Sequence, residues 1–224
     1  MGTVTVLPYT HKNPLEIMGA MAGECWGSDT KTVEKNIKRG KQCIADGHGR
    51  VLELADVYLK IDGYSARVMR EWYTHIGGSP TRLQASTRYI DYSNLDVIHP
   101  SAVKANDDAT EVYDGCIDTI KTSYTKLLDM GIKKEDIANL LPLGMTTTVM
   151  DKRNARNLVE MSHQRLCTRA YWEYRRLMHD IMNALREYSE QWAFIVDNYM
   201  MPKCEVTGYC PEHKSCGHRP KKDA

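Results

Sequence analysis

The sequence lacks the features that mark a membrane, secreted or nucleic-acid-binding protein. Its 224 residues include 30 Lys and Arg against 29 Asp and Glu, and this balance provides no general attraction to nucleic acid or to an anionic membrane. The longest apolar runs, such as residues 140–144, are too short to cross a bilayer, and the first residues contain no secretory signal. We therefore expect a cytoplasmic protein without a nucleic-acid or membrane partner.

The cysteines argue against a disulfide-stabilised protein. There are seven, an odd number, which does not suit a complete disulfide framework and favours a reducing compartment. Four of them are scattered in segments with helical or buried character, where cysteine usually serves as a small core residue: Cys25, Cys43, Cys116 and Cys167.

The other cysteines lie in a final segment rich in Gly, Pro and Lys. We divide the chain into a body at residues 1–200 and a tail at residues 201–224. Three thiolates and one imidazole can bind tetrahedral zinc, and the tail offers such a set in Cys204, Cys210, His213 and Cys216. Because the spacing lacks the CxxC pair of common zinc fingers, the alternative is a reduced tail that binds no metal.

The apolar pattern predicts a helix-rich α+β protein without internal repeats. Alternating apolar and polar residues predict a strand within residues 51–61. Helical spacing predicts a long helix over residues 110–130, ended by Gly131, and two helices over residues 154–199 that meet near Cys167.

Polar residues are concentrated in segments where a core does not require them. A Gly-rich turn with hydroxyls and arginines follows residue 76, and backbone N–H groups and Arg side chains of this kind suit a phosphate. On one helical face, Asn154 and Arg165 flank the apolar Leu158 and Met161. Taken singly, each segment is also compatible with a solvated loop or a surface salt bridge.

Taken in order, residues 22–185 resemble the flavin-dependent thymidylate synthases, the ThyX family. Gly47-His48 followed by Glu53 is similar to the family's GHxxxxE element, and residues 70–89 are similar to its signature helix and Ser-x-Arg-Tyr segment. Leu141-Pro142-Leu143 and Asn154-Ala155-Arg156, with Arg165 downstream, resemble its LPL, NAR and LR elements.

This resemblance implies a homotetramer whose subunits carry a small antiparallel sheet and bind FAD and nucleotide where they meet. The implied reaction is the reductive methylation of deoxyuridylate (dUMP) to thymidylate (dTMP). Methylenetetrahydrofolate is the carbon donor, NADPH is the reductant, and the flavin carries hydride because side chains cannot.

The resemblance also assigns roles to individual residues. Arg165 is expected to polarise the uracil, and the implied catalytic residues are Arg165, Ser86 and His48. The residues implied to contact the flavin are His48, Arg50, Glu53, His75, Ser79, Gln84, Asn154, Arg156, Glu160 and Arg169. Those implied to contact the nucleotide are Glu71, Arg82, Gln84, Ser86, Thr87, Arg88 and Arg165.

The chain departs from the family pattern around the nucleotide. The basic triplet reads Thr74-His75-Ile76, Ala138 occupies the position of a phosphate-binding arginine, and Glu71 replaces a glutamine. One alternative is therefore a flavin-dependent methyl- or hydroxymethyltransferase acting on another pyrimidine nucleotide such as deoxycytidylate (dCMP). The others are a non-catalytic flavin- or nucleotide-binding relative and a colourless interaction protein with a zinc-binding tail.

Overall fold

The computed structural model describes residues 2–222. Met1 of the predicted body and residues 223–224 of the predicted tail lie outside the described residues. The helices are α1 (Pro14–Cys25), α2 (Val33–Ala45), α3 (Ala66–Trp72), α4 (Ser101–Lys104), α5 (Asp107–Asp129), α6 (Lys134–Ile137), α7 (Ala155–Arg165), α8 (Trp172–Tyr188), α9 (Glu190–Tyr199) and α10 (Lys203–Thr207), with short 3₁₀ helices at Gly49–Leu54 and Ala138–Leu140. Among the helices of this described part, none is long and apolar enough to cross a membrane.

Four strands form one antiparallel sheet: β1 (Thr3–Val6), β2 (Asp56–Ser65), β3 (Thr81–Gln84) and β4 (Thr146–Asn154). Their order is β1-β2-β4-β3, so the two longest strands lie in the centre. The register pairs Asp56 of β2 with Asn154 of β4, and the chain passes from Asn154 directly into α7. The small sheet among many helices confirms the predicted α+β class.

The main core lies between the inner face of the sheet and the helices. Inward-facing residues of β2 alternate along the strand, as the period of a β-strand requires. Helix α8 contributes an apolar stripe at helical spacing, each side chain of which stabilises the fold by about 1.5–3 kcal/mol. The buried members of this stripe are Tyr174, Leu177, Met178, Ile181, Met182 and Leu185.

Helices α1 and α2 cross at a contact that only glycine allows. A Cβ atom at Gly19 would overlap the backbone carbonyl of Asn36, and one at Gly40 would overlap the carbonyl of Leu15. Because both obstacles are backbone atoms, neither can rotate away, and the two glycines set the distance between the helices.

Helix α5 is long but poorly covered. Of its 23 residues only Ile117 and Tyr124 are buried, in a second core cluster with Leu95, Ile137 and neighbouring side chains. Val112 on the same helix is 76% exposed. A helix of this length is normally stabilised by a packed face, so α5 offers an unpartnered surface.

Two predicted elements differ from the structure. The predicted strand at 51–61 starts too early, because Gly49–Leu54 forms a 3₁₀ helix and β2 begins only at Asp56. The region 154–199 contains three helices rather than two. The predicted break near Cys167 is confirmed, and a second lies at Ser189, whose extended backbone interrupts the helix and whose hydroxyl accepts the N–H of Trp192.

Candidate active site

Arg165, the last residue of α7, lies at the centre of a polar cluster. Its Nη1 donates to Glu71 Oε2 at 2.9 Å, and its Nε donates to His75 Nε2 at 2.9 Å. The guanidinium also lies 4.5 Å from the ring centre of the buried Tyr174. The structure therefore brings together three predicted site residues from two segments that are 90 positions apart.

Burial, assisted by the neighbouring arginines, keeps the imidazole of His75 uncharged. Burial, with further contributions from the positive charges of Arg165 and Arg153, lowers the pKa of His75 to about 4. At neutral pH the ring is therefore uncharged, with its Nε2 lone pair facing Arg165 and its proton on Nδ1. A neutral acceptor orients the guanidinium without cancelling its charge.

A buried ion network lies close to this cluster, near enough for the charge of Arg153 to contribute to the lowered pKa of His75. Arg153 donates from Nε and Nη2 to Asp151 at 2.6 and 2.7 Å, and from Nη1 to Asn157 at 2.6 Å. Its guanidinium stacks 4.0 Å from the ring centre of Trp72, whose indole N–H donates to Asp151. Neither Arg153 nor Asp151 is among the site residues predicted from the sequence. The available signal was their i, i+2 spacing, which puts both on the inner face of β4.

The Gly-rich turn after α3 packs against the start of α7. Gly78 has a φ of +71° and lies so close to Asn154 that a Cβ atom would overlap its side-chain amide. Asn154 in turn caps α7, because its Oδ1 accepts the N–H of Asn157 at 2.9 Å. Ser79 also has a positive φ, +50°, and is exposed. Of these two residues predicted to contact the flavin, Asn154 is buried, whereas Ser79 is exposed and follows the glycine that touches Asn154.

Arg156 extends this surface toward the 3₁₀ helix. It donates to Glu53 at 2.6 Å and to Glu160 at 2.8 Å, so three of the predicted flavin-contacting residues form one exposed network. His48 precedes the 3₁₀ helix and Arg50 lies within it, and both are exposed. Within residues 2–222 neither side chain hydrogen-bonds to the protein, which leaves both available to a ligand.

The predicted anion-binding loop is partly a strand. Residues 81–84 pair with β4 as β3, and Arg82 donates to the carbonyl of Tyr73 at 2.9 Å while stacking 4.5 Å from its ring centre. Gln84 makes a long contact of 3.4 Å to Thr147. The structure thus gives Arg82 a structural partner within the chain.

The Ser-x-Arg segment lies apart from the Arg165 cluster. Ser86 Oγ accepts the backbone N–H of Arg88 at 3.3 Å, and Thr87 between them is partly buried. The Arg88 side chain is exposed and donates to Glu135 at 3.0 Å. Within the described chain, no hydrogen bond joins this segment to Arg165.

A cavity of about 590 Å³ opens beside Glu71. It is lined by arginines on α3 and by aromatic and acidic side chains, among them Arg67, Arg70, Tyr171 and Glu173. Of the predicted site residues only Glu71 lines it. Glu173 is buried and accepts from both the backbone N–H and the hydroxyl of Ser65, at 2.7 and 2.6 Å. The sequence analysis assigned no role to these cavity residues.

The tail reaches the last predicted flavin residue. Arg169 is paired with Glu212 at 3.3 Å and donates to the carbonyl of Lys214 at 3.5 Å. The predicted zinc ligands are not assembled: among residues 2–222, no three His, Cys, Asp or Glu side chains are arranged to hold a metal ion. One cavity is lined by Cys204, Cys210 and Cys216, and His213 is not among its lining residues.

Comparison with known proteins supports the resemblance drawn from the motifs. The sequence model of the family described as thymidylate synthase complementing protein matches residues 5–189. The flavin-dependent thymidylate synthase of Pyrococcus furiosus is 28% identical over 226 residues, which cover 95% of this chain and 90% of that protein. That of Nitratidesulfovibrio vulgaris is 26% identical over 239 residues, which cover 97% of this chain and 95% of that protein. With most of its length matched, the chain belongs to the thymidylate synthase complementing protein family of flavin-dependent enzymes.

Proposed function

We propose that this protein catalyses the flavin-dependent reductive methylation of dUMP to dTMP, with methylenetetrahydrofolate as carbon donor and NADPH as reductant. The observation that carries this proposal is the state of Arg165. Its guanidinium is held by one carboxylate and one neutral imidazole, is partly buried, and keeps N–H groups that these two contacts do not use.

In the proposed reaction Arg165 acts on the pyrimidine carbonyls. Carbon 5 of the pyrimidine must become nucleophilic to accept the one-carbon unit, and negative charge then develops on the ring carbonyls. A preoriented cation at those oxygens stabilises the charge, and its effect is larger where burial reduces the screening by water. Glu71 and His75 hold the guanidinium in place, so little reorganisation is needed when the charge develops.

The residues around the N-terminus of α7 suit a flavin. The Gly77–Ser79 turn exposes backbone beside Asn154, and the exposed Arg50, which has no carboxylate partner within the described residues, provides a cation for a diphosphate. When bound, FAD would supply the hydride-carrying chemistry that side chains lack. The family resemblance also assigns His48 and Arg169 to the flavin; His48 is exposed, and Arg169 is paired with Glu212 of the tail.

A second chain would complete this surface. Within the described chain no hydrogen bond joins the Ser86–Arg88 segment to Arg165, although the resemblance assigns both to the nucleotide. We propose a homotetramer in which segments of neighbouring subunits meet. The exposed face of α5 and the exposed Leu83 and Tyr89 provide apolar area for such contacts.

A second candidate substrate follows from Glu71. Its carboxylate lines the cavity and bonds to Arg165, and an ionised carboxylate can only accept hydrogen bonds. The exocyclic amine of dCMP donates, whereas the corresponding carbonyl of dUMP does not. The ion pair therefore favours methylation or hydroxymethylation of dCMP as the alternative reaction.

The test is anaerobic reoxidation of the reduced holoenzyme with methylenetetrahydrofolate and either dUMP or dCMP, with products identified by mass spectrometry. We expect dTMP from dUMP. Arg165→Ala should abolish product formation while retaining the flavin absorbance, and Arg186→Ala, which removes an exposed arginine paired with Asp197, should leave turnover unchanged. Normal turnover in Arg165→Ala would contradict the proposed role.

Glu71→Gln separates the two substrates. A charged hydrogen bond contributes about 1.5–3 kcal/mol, equivalent to about 10- to 150-fold in relative kcat/KM. If the wild type uses dCMP, this change should shift preference toward dUMP by that factor. A flavoprotein that gives product from neither nucleotide would reject both reactions.

A further inference from the structure

Four cysteines line a single cavity between the body and the tail. The cavity has a volume of about 510 Å³ and lies against the end of α7 and the residues that follow it. Its cysteines are Cys167 from the α7–α8 connection, Cys204 on α10, and Cys210 and Cys216 from the last part of the tail. All four are free thiols. The set therefore consists of all three cysteines of the tail and of Cys167, which the sequence predicted to be a core residue.

The four thiols differ in their exposure around the cavity. Cys210 is buried, Cys167 and Cys204 are partly buried, and Cys216 is exposed. Cysteine binds a metal ion as the thiolate.

Apolar burial does not account for the position of the tail. After Met200, Cys210 is the one buried apolar side chain in the described chain, and α10 has no buried residue. The ion pairs that connect the tail, such as Arg169 with Glu212, involve half-exposed side chains and contribute little. A segment with so small a core normally needs a disulfide or a metal ion to hold its fold.

We propose that Cys167, Cys204, Cys210 and Cys216 bind one Zn²⁺ ion tetrahedrally and attach the tail to the end of α7. Four thiolates form a closed structural zinc site, and binding releases the thiol protons to solvent. Because no three such side chains of the described residues are arranged around a common point, binding of the ion requires the sulfurs to move together. The ligand set differs from that predicted from the sequence, because Cys167 of the body replaces His213 of the tail.

The two histidines of the cavity are engaged elsewhere. His218 is paired with Glu205, and the Nε2 atom of His163 lies 3.3 Å from the carbonyl of Tyr199. Four sulfurs satisfy a tetrahedral ion without either imidazole. Because both imidazoles have other partners, we expect a site with four thiolates rather than a mixed site with three thiolates and one imidazole.

The experiment measures zinc in the full-length protein purified under reducing conditions, by elemental analysis and by titration of the apoprotein with Zn²⁺ against a chromophoric chelator. We expect one ion per chain. Cys167→Ser and Cys204→Ser should each lose most of it, whereas Cys116→Ser, at an exposed cysteine on α5, should retain it. His213→Ala should also retain its zinc. Circular dichroism of each variant checks that the body is folded.

Substitution of Co²⁺ into the wild type provides a second measurement that does not depend on any variant folding. A four-thiolate site should give strong sulfur-to-cobalt absorption and tetrahedral d–d bands. A wild-type protein that binds neither ion would overturn the proposal, as would disulfides among these cysteines detected in the reduced preparation. If Cys167→Ser keeps its zinc and His213→Ala loses it, the zinc ligands lie in the tail alone and the proposed role of Cys167 is refuted.

Discussion

The buried pair of Asp151 and Arg153 leads to a strong prediction about stability. Both side chains are inaccessible to solvent, and two of the guanidinium N–H groups are bound to the carboxylate. In Asp151→Asn the amide oxygen can still accept the indole N–H of Trp72, so the main loss is the compensation of the buried positive charge. Removal of one partner of a buried pair costs about 3–5 kcal/mol.

That loss is large compared with the usual stability of a domain, about 5–15 kcal/mol. For a chain of this length each kcal/mol shifts the Tm by about 2–4 °C, so we expect the Tm of Asp151→Asn to fall by about 6–20 °C. The measurements are thermal unfolding for the Tm and urea unfolding for the free energy, both followed by tryptophan fluorescence. One protein concentration should be used throughout, because the stability of an oligomer depends on it.

Two controls separate the charge from the position. Asp62→Asn changes a carboxylate of the neighbouring strand that is 41% exposed and paired with Lys60, and it should cost less than about 1 kcal/mol. The double variant Asp151→Leu/Arg153→Met removes both charges and should recover most of the stability lost in Asp151→Asn. If Asp151→Asn unfolds within about 1 kcal/mol of the wild type, the argument for an essential buried pair is refuted.

Two further predictions concern packing and pH. Gly19→Ala should destabilise the protein by about 1–3 kcal/mol, since the added Cβ atom meets the backbone of Asn36. The control Gly115→Ala, at an exposed helical position with open space, should be neutral or stabilise the protein by up to about 1 kcal/mol. Equal urea midpoints for the two variants would show that the α1–α2 contact is not tight. The pKa of His75 is about 4 in the folded protein, below the ordinary value of 6.5. As the pH falls through 6.5, His75 therefore binds a proton in the unfolded chain but not in the folded protein. The free energy of unfolding should consequently decrease between pH 6.5 and pH 4. His75→Gln should reduce this drop in unfolding free energy, by on the order of 3 kcal/mol at most, and an unchanged pH profile would assign the drop to other groups.

Local patterns predicted the helices well and the short strands poorly. Helix α5 was predicted as residues 110–130 and is found at Asp107–Asp129, with Gly131 in the left-handed conformation that ends a helix. Strand β3 could not be predicted, because its four residues follow a Gly-rich turn and have a single strand partner, β4. A strand of that length is determined by pairing with a distant segment, which a local pattern does not contain.

The candidate site shows the same limit. The resemblance to a family selected Glu71, His75 and Arg165, and the structure joins them by hydrogen bonds. It also assigned Ser86 and Arg88 to the same nucleotide, and no hydrogen bond within the described chain joins them to Arg165. Because residues that meet across a subunit boundary make no contact within one chain, we expect the two segments to meet in the proposed tetramer.

The two arginines of α7 and β4 show why residue type alone does not locate the chemistry. Arg153 is fully buried and uses its guanidinium on a carboxylate, an amide and the sulfur of Met161, so it stabilises the fold and has no access to a ligand. Arg165, twelve positions later, shares its charge with only one carboxylate and one neutral imidazole, and it keeps both exposure and unused donors. Each guanidinium has one carboxylate partner, so access rather than charge separates the two. Because a cation can stabilise a developing negative charge only if it reaches the reacting atoms, the proposed role at the substrate falls to Arg165, whereas Arg153 stabilises the fold.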